Sequence, residues 1–374
     1  MSIEPTANNF CSLPFVGLFY KNNSASSCCV MNTKPFSPKE YLEHKETIEL
    51  RQTITENKKS DKCNNCWTKE QKGLVSIRNY FMKKPEDLTK IRHLELRESN
   101  LCNFSCRMCH PTDSSSLEKE VKTNSELQEY FSPNIDKPST ENNWNQILEL
   151  CKDVELIHMT GGEPMLMKRY YSFLDHLISI GKQNVSLSIF TNGSVYNPIF
   201  VEKMINFSNV RLNFSIDAVG KVAEYQRYGT DWKIITENVQ KYLKLPIKIK
   251  IHSTMTAYSI LGVSDLADYF IELVNTKCAA TLTPFSVHTV SIPQALEFSN
   301  LNLDLRVRAV KELDSAIIKL SVDERFNDYI RELKSVRAQL LSRKDCDFDG
   351  FVKMTKALDK VRNQSFEDTF GYKI

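Results

Sequence analysis

Residues 91–111 read IRHLELRESNLCNFSCRMCHP, a strand-like run followed at once by three cysteines. Cys102, Cys106 and Cys109 occupy eight positions, with unequal gaps of three and two residues. Structural zinc sites usually have four ligands arranged in matched pairs, so this spacing departs from them. An iron–sulfur cubane that is bound by three thiolates keeps one iron without a protein ligand. The spacing therefore favours a cluster whose open iron can bind a substrate or a cofactor.

Strand-like runs alternate with helix-like segments from residue 91 onwards, a pattern typical of βαβ units around a parallel sheet. The predicted strands span residues 91–98, 154–160, 184–191, 209–217, 246–255 and 279–287. Six units are too few for an eight-unit barrel, but right-handed crossovers would curl them into an open one. We therefore predict an α/β fold, a partial (βα)6 TIM-like barrel, with its chemistry at the carboxyl ends of the strands and a helical C-terminal extension.

Composition narrows the class of protein. The 374 residues carry a formal net charge of +3, a bias too small to favour a nucleic acid as partner. No secretory signal and no apolar run of about 18 residues is visible, so we expect a cytoplasmic protein without a membrane partner. In a reducing compartment, the eleven cysteines indicate metal binding or catalysis rather than disulfides.

A second motif, TGGEP at residues 160–164, ends the second predicted strand. Together with the cysteines it resembles the radical S-adenosylmethionine (SAM) superfamily. The matching residues are Cys102, Cys106, Met108 and Cys109 in the Cx3CxΦC motif and Gly161, Gly162 and Glu163 in the GGE motif. The resemblance implies that the cysteines hold a [4Fe-4S] cluster with an open iron and that Met108 and the GGE residues contact SAM. Glycines suit this role because backbone without a Cβ atom can approach a ligand closely.

Later strands extend the resemblance. The run NFSIDA ends the fourth predicted strand, and YQRYG follows it. In relatives such residues bind the cofactor, which implies that Ser215 lines the ribose of SAM and that Arg227 approaches its carboxylate. A frequent adenine-side motif, GxIxGxxE, is only partly present. The sequence keeps Ile260 and Gly262 but has Tyr258 and Asp265 at the outer positions.

Five further cysteines precede the predicted barrel, namely Cys11, Cys28, Cys29, Cys63 and Cys66. This region resembles a twitch or SPASM-like auxiliary module, although such modules usually follow the barrel. The resemblance implies a second [4Fe-4S] cluster held by Cys11, Cys63, Cys66 and one of Cys28 and Cys29, with Cys28 favoured. The same spacing permits a four-cysteine zinc site. We divide the chain into an auxiliary module (1–86), a partial barrel (87–295) and a helical extension (296–374).

The resemblance implies that one electron cleaves SAM to methionine and a 5′-deoxyadenosyl radical, which abstracts hydrogen from a substrate. An electron donor such as flavodoxin or ferredoxin is then required. The favoured substrate is a peptide or protein side chain, and the alternative is a small sugar, nucleoside or amino-acid-like molecule. A different class of function is iron–sulfur electron transfer or scaffolding, which needs neither an open iron nor a GGE motif.

Several other polar residues have a simpler expected role. His158, Asn213 and His252 lie on predicted strands, where hydrogen-bonded core positions are commoner than catalytic ones. Cys278 and Cys346 are expected to be buried or idle thiols rather than hydrogen-atom donors. Trp67, Glu70 and Arg78 are expected to pack and to form a salt bridge rather than to contact substrate.

Overall fold

Parallel strands form the centre of the molecule. The computed structural model describes residues 9–31, 34–71, 75–132, 139–278, 280–283, 285–290, 292–342 and 346–374. Its strands are β1 (Gly17–Lys21), β2 (Ser24–Ser26), β3 (His93–Arg97), β4 (Ser105–Cys106), β5 (Leu156–Met159), β6 (Ser186–Thr191), β7 (Asn209–Ser215), β8 (Arg227–Tyr228), β9 (Lys248–Met255), β10 (Thr281–Leu282) and β11 (Ser286–Thr289). The main sheet runs in the order β10-β9-β7-β6-β5-β3-β1-β2, with β11 also paired to β9. All of these pairs are parallel except β1 with β2, which confirms the predicted partial barrel.

Eight strands of the described sheet form parallel pairs where the sequence predicts six: β10 and β11 replace the sixth predicted strand, and β1 is an addition. Strand β1 pairs in parallel with β3, with Gly17 opposite His93 and Lys21 opposite Arg97. Leu18 and Tyr20 of β1 are buried in the main hydrophobic core. The five-residue strand was missed because its cysteine-rich surroundings indicated a separate module.

Side chains of the sheet alternate between two environments. On β9, Ile249, Ile251 and Met255 are buried in the main core, whereas Lys250 and His252 are only half-buried. A strand of period two places these two sets on opposite faces. The second face lines the inside of the partial barrel, which we call the lumen.

Helices pack around the sheet and against one another. They are α1 (Leu13–Val16), α2 (Pro38–Glu43), α3 (Lys45–Thr55), α4 (Asn64–Gln71), α5 (Ile77–Tyr80), α6 (Ser115–Thr123), α7 (Glu141–Leu150), α8 (Lys168–Ser179), α9 (Pro198–Met204), α10 (Gly220–Gln226), α11 (Trp232–Tyr242), α12 (Val263–Asn275), α13 (Leu303–Leu320), α14 (Asn327–Ser342), α15 (Phe348–Arg362) and α16 (Phe366–Phe370). Helix α11 shows how the sequence specifies such a helix. The Asp231 side chain accepts from two backbone N–H groups at its start, and Ile235, Val239 and Tyr242 bury one face.

The helical C-terminal extension packs on the barrel in two places. Helix α13 packs against α12, and α14 lies beside β11, where the Glu332 carboxylate accepts from the Val287 N–H at 2.6 Å. Helix α15 lies beside the loop that carries the three cysteines, because Arg107 of that loop forms an ion pair with Asp359. The extension therefore reaches the edge of the sheet where the sequence predicts the site.

Candidate functional site

The three cysteines lie in the loop that leaves the carboxyl end of β3. Cys106 is in β4, which pairs antiparallel with β8, so that Cys106 is opposite Arg227. The start of α6 fixes the other end of the loop, since the Ser115 and Ser116 hydroxyls donate to the Cys102 carbonyl at 3.2 and 2.8 Å. The loop is therefore held on both sides by backbone and serine hydrogen bonds.

The chemistry of this donor set fits a [4Fe-4S] cluster. Burial raises the pKa of the Cys102 thiol to about 12 and also raises the pKa values of Cys106 and Cys109. Two N–H groups point at the sulfurs, Arg227 Nη1 at 3.8 Å from Cys106 Sγ and Asn192 Nδ2 at 3.9 Å from Cys102 Sγ. Such donors favour thiolates bound to iron, which need compensating charge and hydrogen bonds in a buried site. Met108, between two of these cysteines, is partly buried against the main core.

The GGE residues form a tight turn against this loop. Gly161 and Gly162 have φ values of +72° and +34°, in the left-handed region that favours glycine. The Glu163 N–H donates to the Leu101 carbonyl at 2.8 Å, next to Cys102. A Cβ atom on Gly162 would stand 2.3 Å from the same carbonyl oxygen. The turn and the cysteine loop therefore form one packed unit.

Replacing Gly162 with alanine should disrupt that unit. We expect Gly162→Ala to cost about 1–3 kcal/mol more of the free energy of unfolding than Gly181→Ala, because only the former adds a backbone clash. Gly181 is the matched control, with φ of +71° and nothing within 4 Å of an added Cβ atom. Chemical denaturation measures both, and equal losses would show that the close packing has no energetic weight.

The Glu163 side chain points into the protein and joins the ends of two strands. Its Oε1 accepts from the Met165 N–H at 3.1 Å and the Thr191 hydroxyl at 2.9 Å, and its Oε2 accepts from the Asn192 N–H at 2.7 Å. The residue is fully buried, and burial raises the pKa of Glu163 from 4.5 to about 7. In this structure its carboxylate orders the turn, and the backbone of the turn faces the cysteine loop.

This carboxyl predicts a pH dependence of stability. In the folded chain Glu163 stays protonated up to about pH 7, whereas in the unfolded chain it loses its proton near pH 4.5. The contribution to the free energy of unfolding is fully present below pH 4.5 and falls by up to about 3 kcal/mol as the pH rises to about 7. Denaturation at pH 5 and pH 8 measures this fall, which should be smaller in Glu163→Gln. The same fall in both proteins would contradict the prediction.

Ser215 and Arg227 lie together at the carboxyl ends of β7 and the following loop. They line one cavity, and its other lining residues include Asn192, Asp217 and Trp232. Arg227 is held by Asp217 through Nε at 2.7 Å and Nη2 at 3.0 Å, and its remaining nitrogen, Nη1, faces Cys106. The guanidinium is therefore positioned between a carboxylate and the cysteine loop.

Sequence reasoning missed three residues of this site. Asn192 contacts Cys102 and the Glu163 carboxylate, and Asp217 holds Arg227. Their signals were present, because TNGS follows a predicted strand and Asp217 ends the SID run. Arg107, fully buried between two motif cysteines, had no signal because its partner Asp359 is 252 residues away.

The residues of the partial adenine-side motif lie in two different environments. Tyr258, Ile260 and Gly262 are buried, and the Tyr258 hydroxyl contacts the Thr355 hydroxyl of α15 at 2.8 Å. Asp265 is exposed on α12. Tyr258 therefore binds the C-terminal extension.

The N-terminal cysteines separate into two environments. Cys11, Cys28, Cys63 and Cys66 line a single cavity, together with Trp67 and Arg78. Burial raises the pKa of the Cys11 thiol to about 12 and that of Cys63 to about 11. Cys29 instead faces Glu95 and Arg97 of β3, whose charges act on its thiol. Cys28, and not Cys29, is thus the fourth thiol at this cavity.

The structure also shows the surroundings of Arg78 and the exposure of the remaining cysteines singled out in the sequence. Arg78 forms an ion pair with Glu70 and lies over the Trp67 ring, 4.6 Å from its centroid. Cys278 and Cys346 are exposed. Within the described ranges, no three His, Cys, Asp or Glu side chains converge as ligands of one metal ion.

These features define a class of protein. Residues 99–274 match the family model described as the Radical SAM superfamily. This match, over 176 of the 374 residues, confirms the resemblance to the superfamily that the sequence shows. None of the described helices has the length and apolar character needed to cross a membrane.

Individual relatives cover part of the chain. The radical SAM cyclopropyl synthase TigE of Paramaledivibacter caminithermalis is 25% identical over 229 residues, 60% of this chain and 46% of that protein. A GTP 3′,8-cyclase of Campylobacter jejuni subsp. doylei is 27% identical over 167 residues, 44% of this chain and 47% of that protein. Streptococcus suis SuiB bound to S-adenosylmethionine is 18% identical with a TM-score of 0.40, covering 66% of this chain and 50% of that one. The chain thus spans about half the length of the curated relatives it matches.

Proposed function

We propose that this chain cleaves SAM reductively and abstracts hydrogen from a substrate. The observation that carries the proposal is the contact between the cysteine loop and the diglycine turn at the carboxyl ends of parallel strands. When bound by Cys102, Cys106 and Cys109, a [4Fe-4S] cluster supplies the electron and an open iron for SAM.

The protein's own residues would orient the cofactor and keep the site dry. Arg227 brings a positive charge to Cys106 and would meet the carboxylate of SAM, while Ser215, which lines the same cavity, would meet its ribose. Asn192 donates toward Cys102, and Glu163 keeps the turn in the shape that its glycines require. Cytoplasmic flavodoxin or ferredoxin would be the electron donor.

We also propose that the N-terminal cysteines hold an auxiliary [4Fe-4S] cluster. Support comes from the shared cavity of Cys11, Cys28, Cys63 and Cys66. We propose that this cluster belongs to a module of residues 1–86, followed by the barrel (87–295) and the helical extension (296–374). Strand β1 of the module nevertheless pairs with β3 in the barrel sheet. A zinc ion is the competing occupant, although no three ligands converge on a single ion within the described residues.

Two neighbouring cysteines provide a matched test of this cluster. Cys28→Ala should lower the iron content of reconstituted protein by about four atoms per chain, since a closed cluster needs all four thiolates. Cys29→Ala should leave the iron content unchanged, because Cys29 faces Glu95. Iron and sulfide analysis under anaerobic conditions measures both, and zinc without extra iron in the wild type would overturn the proposal.

The favoured substrate is a peptide or protein side chain, because the resemblance to auxiliary modules of peptide-modifying enzymes suggests it. A small sugar, nucleoside or amino-acid-like molecule is the second candidate, and the similarity to GTP 3′,8-cyclases supports a substrate of the nucleoside type. Pure electron transfer or scaffolding is the third, from a different class of function.

Hydrogen transfer distinguishes these candidates. Reduced enzyme and SAM are incubated with perdeuterated peptides or nucleotides, and 5′-deoxyadenosine is analysed by mass spectrometry. We expect deuterium in this product from one substrate class only. Absence of 5′-deoxyadenosine under every condition would instead favour the electron-transfer or scaffold function.

A further inference from the structure

The lumen wall formed by β7, β9 and β11 carries cations and imidazoles rather than carboxylates. Arg211 is exposed, and Lys250 is opposite Asn213 on the neighbouring strand. Neither forms an ion pair within 4 Å in the part of the chain that the structure describes. Burial and the nearby Arg211 charge lower the pKa of Lys250. Two like charges therefore share one concave wall.

Imidazoles continue this wall toward the mouth of the barrel. His252 Nδ1 is 3.1 Å from His288 Nε2 and 2.9 Å from the Ser286 hydroxyl, and His252 Nε2 is 3.2 Å from Asn213 Oδ1. The Asn213 amide nitrogen already donates to the Ser188 hydroxyl, so its oxygen accepts and His252 Nε2 carries the hydrogen. The His252 ring is thus held in place by polar partners at both of its nitrogens.

Both acidic and basic groups of neighbouring elements act on this wall. Glu332 and Asp328 of α14 act on Lys250, but the Glu332 carboxylate already accepts the Val287 N–H. Lys69 of α4 adds a further positive charge near His288. Asp217 also acts on His288, but none of these three carboxylates forms an ion pair within 4 Å with Arg211 or Lys250 among the described residues.

The wall lies close to the proposed site of chemistry. His252 is opposite Ser215, which lines the cavity beside Arg227, and Lys250 is two residues further from the mouth. Two strand residues correspond to roughly 7 Å. A small molecule anchored at Lys250 would therefore place its other end near that cavity.

We propose that this wall binds an oxyanion of the substrate, a carboxylate or a phosphate, through Arg211 and Lys250 with His252 and His288 as polar neighbours. An oxyanion offsets the repulsion between the two cations, and charged hydrogen bonds give it a defined position. The inference rests on the proposed function only in assigning the oxyanion to the substrate.

Calorimetric titration of the reconstituted protein tests the site, with inorganic pyrophosphate and glutarate as probes. We expect saturable binding that weakens at least about 10-fold in Arg211→Met and in Lys250→Met, since each removes a charged hydrogen-bond donor. Lys250→Arg should retain binding. Lys233→Met, which removes an exposed charge from α11, is the matched control and should bind as the wild type does.

The outcomes separate the sources of the oxyanion. Tighter binding of pyrophosphate supports a phosphate, and tighter binding of glutarate supports a carboxylate. Absence of saturable binding to either probe, or wild-type affinity in both methionine variants, would overturn the proposal. Saturable binding by a protein that forms no 5′-deoxyadenosine would refute the proposed reaction and leave the oxyanion site intact.

Discussion

Replacing Cys102, Cys106 and Cys109 together with alanine should abolish the formation of 5′-deoxyadenosine from SAM. The three thiols are the protein ligands proposed for the cluster with the open iron, and none of the remaining cysteines lies in their loop. We expect product to fall below detection, at least about 1,000-fold, because no other group supplies the electron at this site. Liquid chromatography of reactions with dithionite-reduced protein measures it.

The iron content of the same variant adds a second readout. It should fall by about four atoms per chain and leave the iron of the proposed auxiliary cluster in place. Cys278→Ala is the control, since Cys278 is exposed and should affect neither quantity. Unchanged iron in the triple variant would show that other residues bind the cluster.

The second large effect is expected at the contact between the C-terminal extension and the cysteine loop. The Arg107 side chain is 0% exposed and that of Asp359 is 14% exposed. Arg107 also donates to the Tyr225 carbonyl at 2.9 Å, and its guanidinium lies 3.6 Å from the centroid of the Tyr225 ring. The Asp359 carboxylate in turn accepts from the Tyr225 hydroxyl at 2.7 Å. The ion pair is thus enclosed by its neighbours.

Asp359→Asn keeps the shape of the side chain but leaves the Arg107 charge buried without its partner. Breaking a buried pair in this way costs about 3–5 kcal/mol of the free energy of unfolding. Because Arg107 lies between Cys106 and Cys109, we also expect faster loss of iron to a chelator. Chemical denaturation and the bleaching of cluster absorbance measure the two effects.

Asp349→Asn is the matched control, because it removes an exposed carboxylate from the same helix, α15. It should change stability by less than about 1 kcal/mol. A loss in Asp359→Asn no larger than in this control would mean that the extension does not hold the cysteine loop. Such a result would mean that the only role of the extension is to cover the barrel.

Local patterns explain how much of the fold could be predicted. The predicted strand at 209–217 is observed at Asn209–Ser215, because its alternating residues report directly on two faces of a sheet. Strand β1 was missed because its pairing with β3 joins residues that lie 76 positions apart, as Gly17 and His93 do. Pairing at such a distance leaves no mark on the five residues of the strand itself.

The same distinction holds for the site. The cysteine and GGE motifs could be recognised because their members are a few residues apart. The inward direction of the Glu163 carboxylate could not, since it depends on Thr191 and Asn192 of another strand. The choice of Cys28 over Cys29 likewise depends on a contact that the sequence does not show, because Cys29 lies beside Glu95 of β3.

The central claim is that the Cys102–Cys109 loop supports reductive cleavage of SAM. The most direct measurement compares 5′-deoxyadenosine formed by the wild type and by the triple alanine variant, both reconstituted and reduced without oxygen. We predict product in the wild type and none in the variant. A wild type that holds its cluster but forms no product, or a variant that forms as much as the wild type, would contradict the claim.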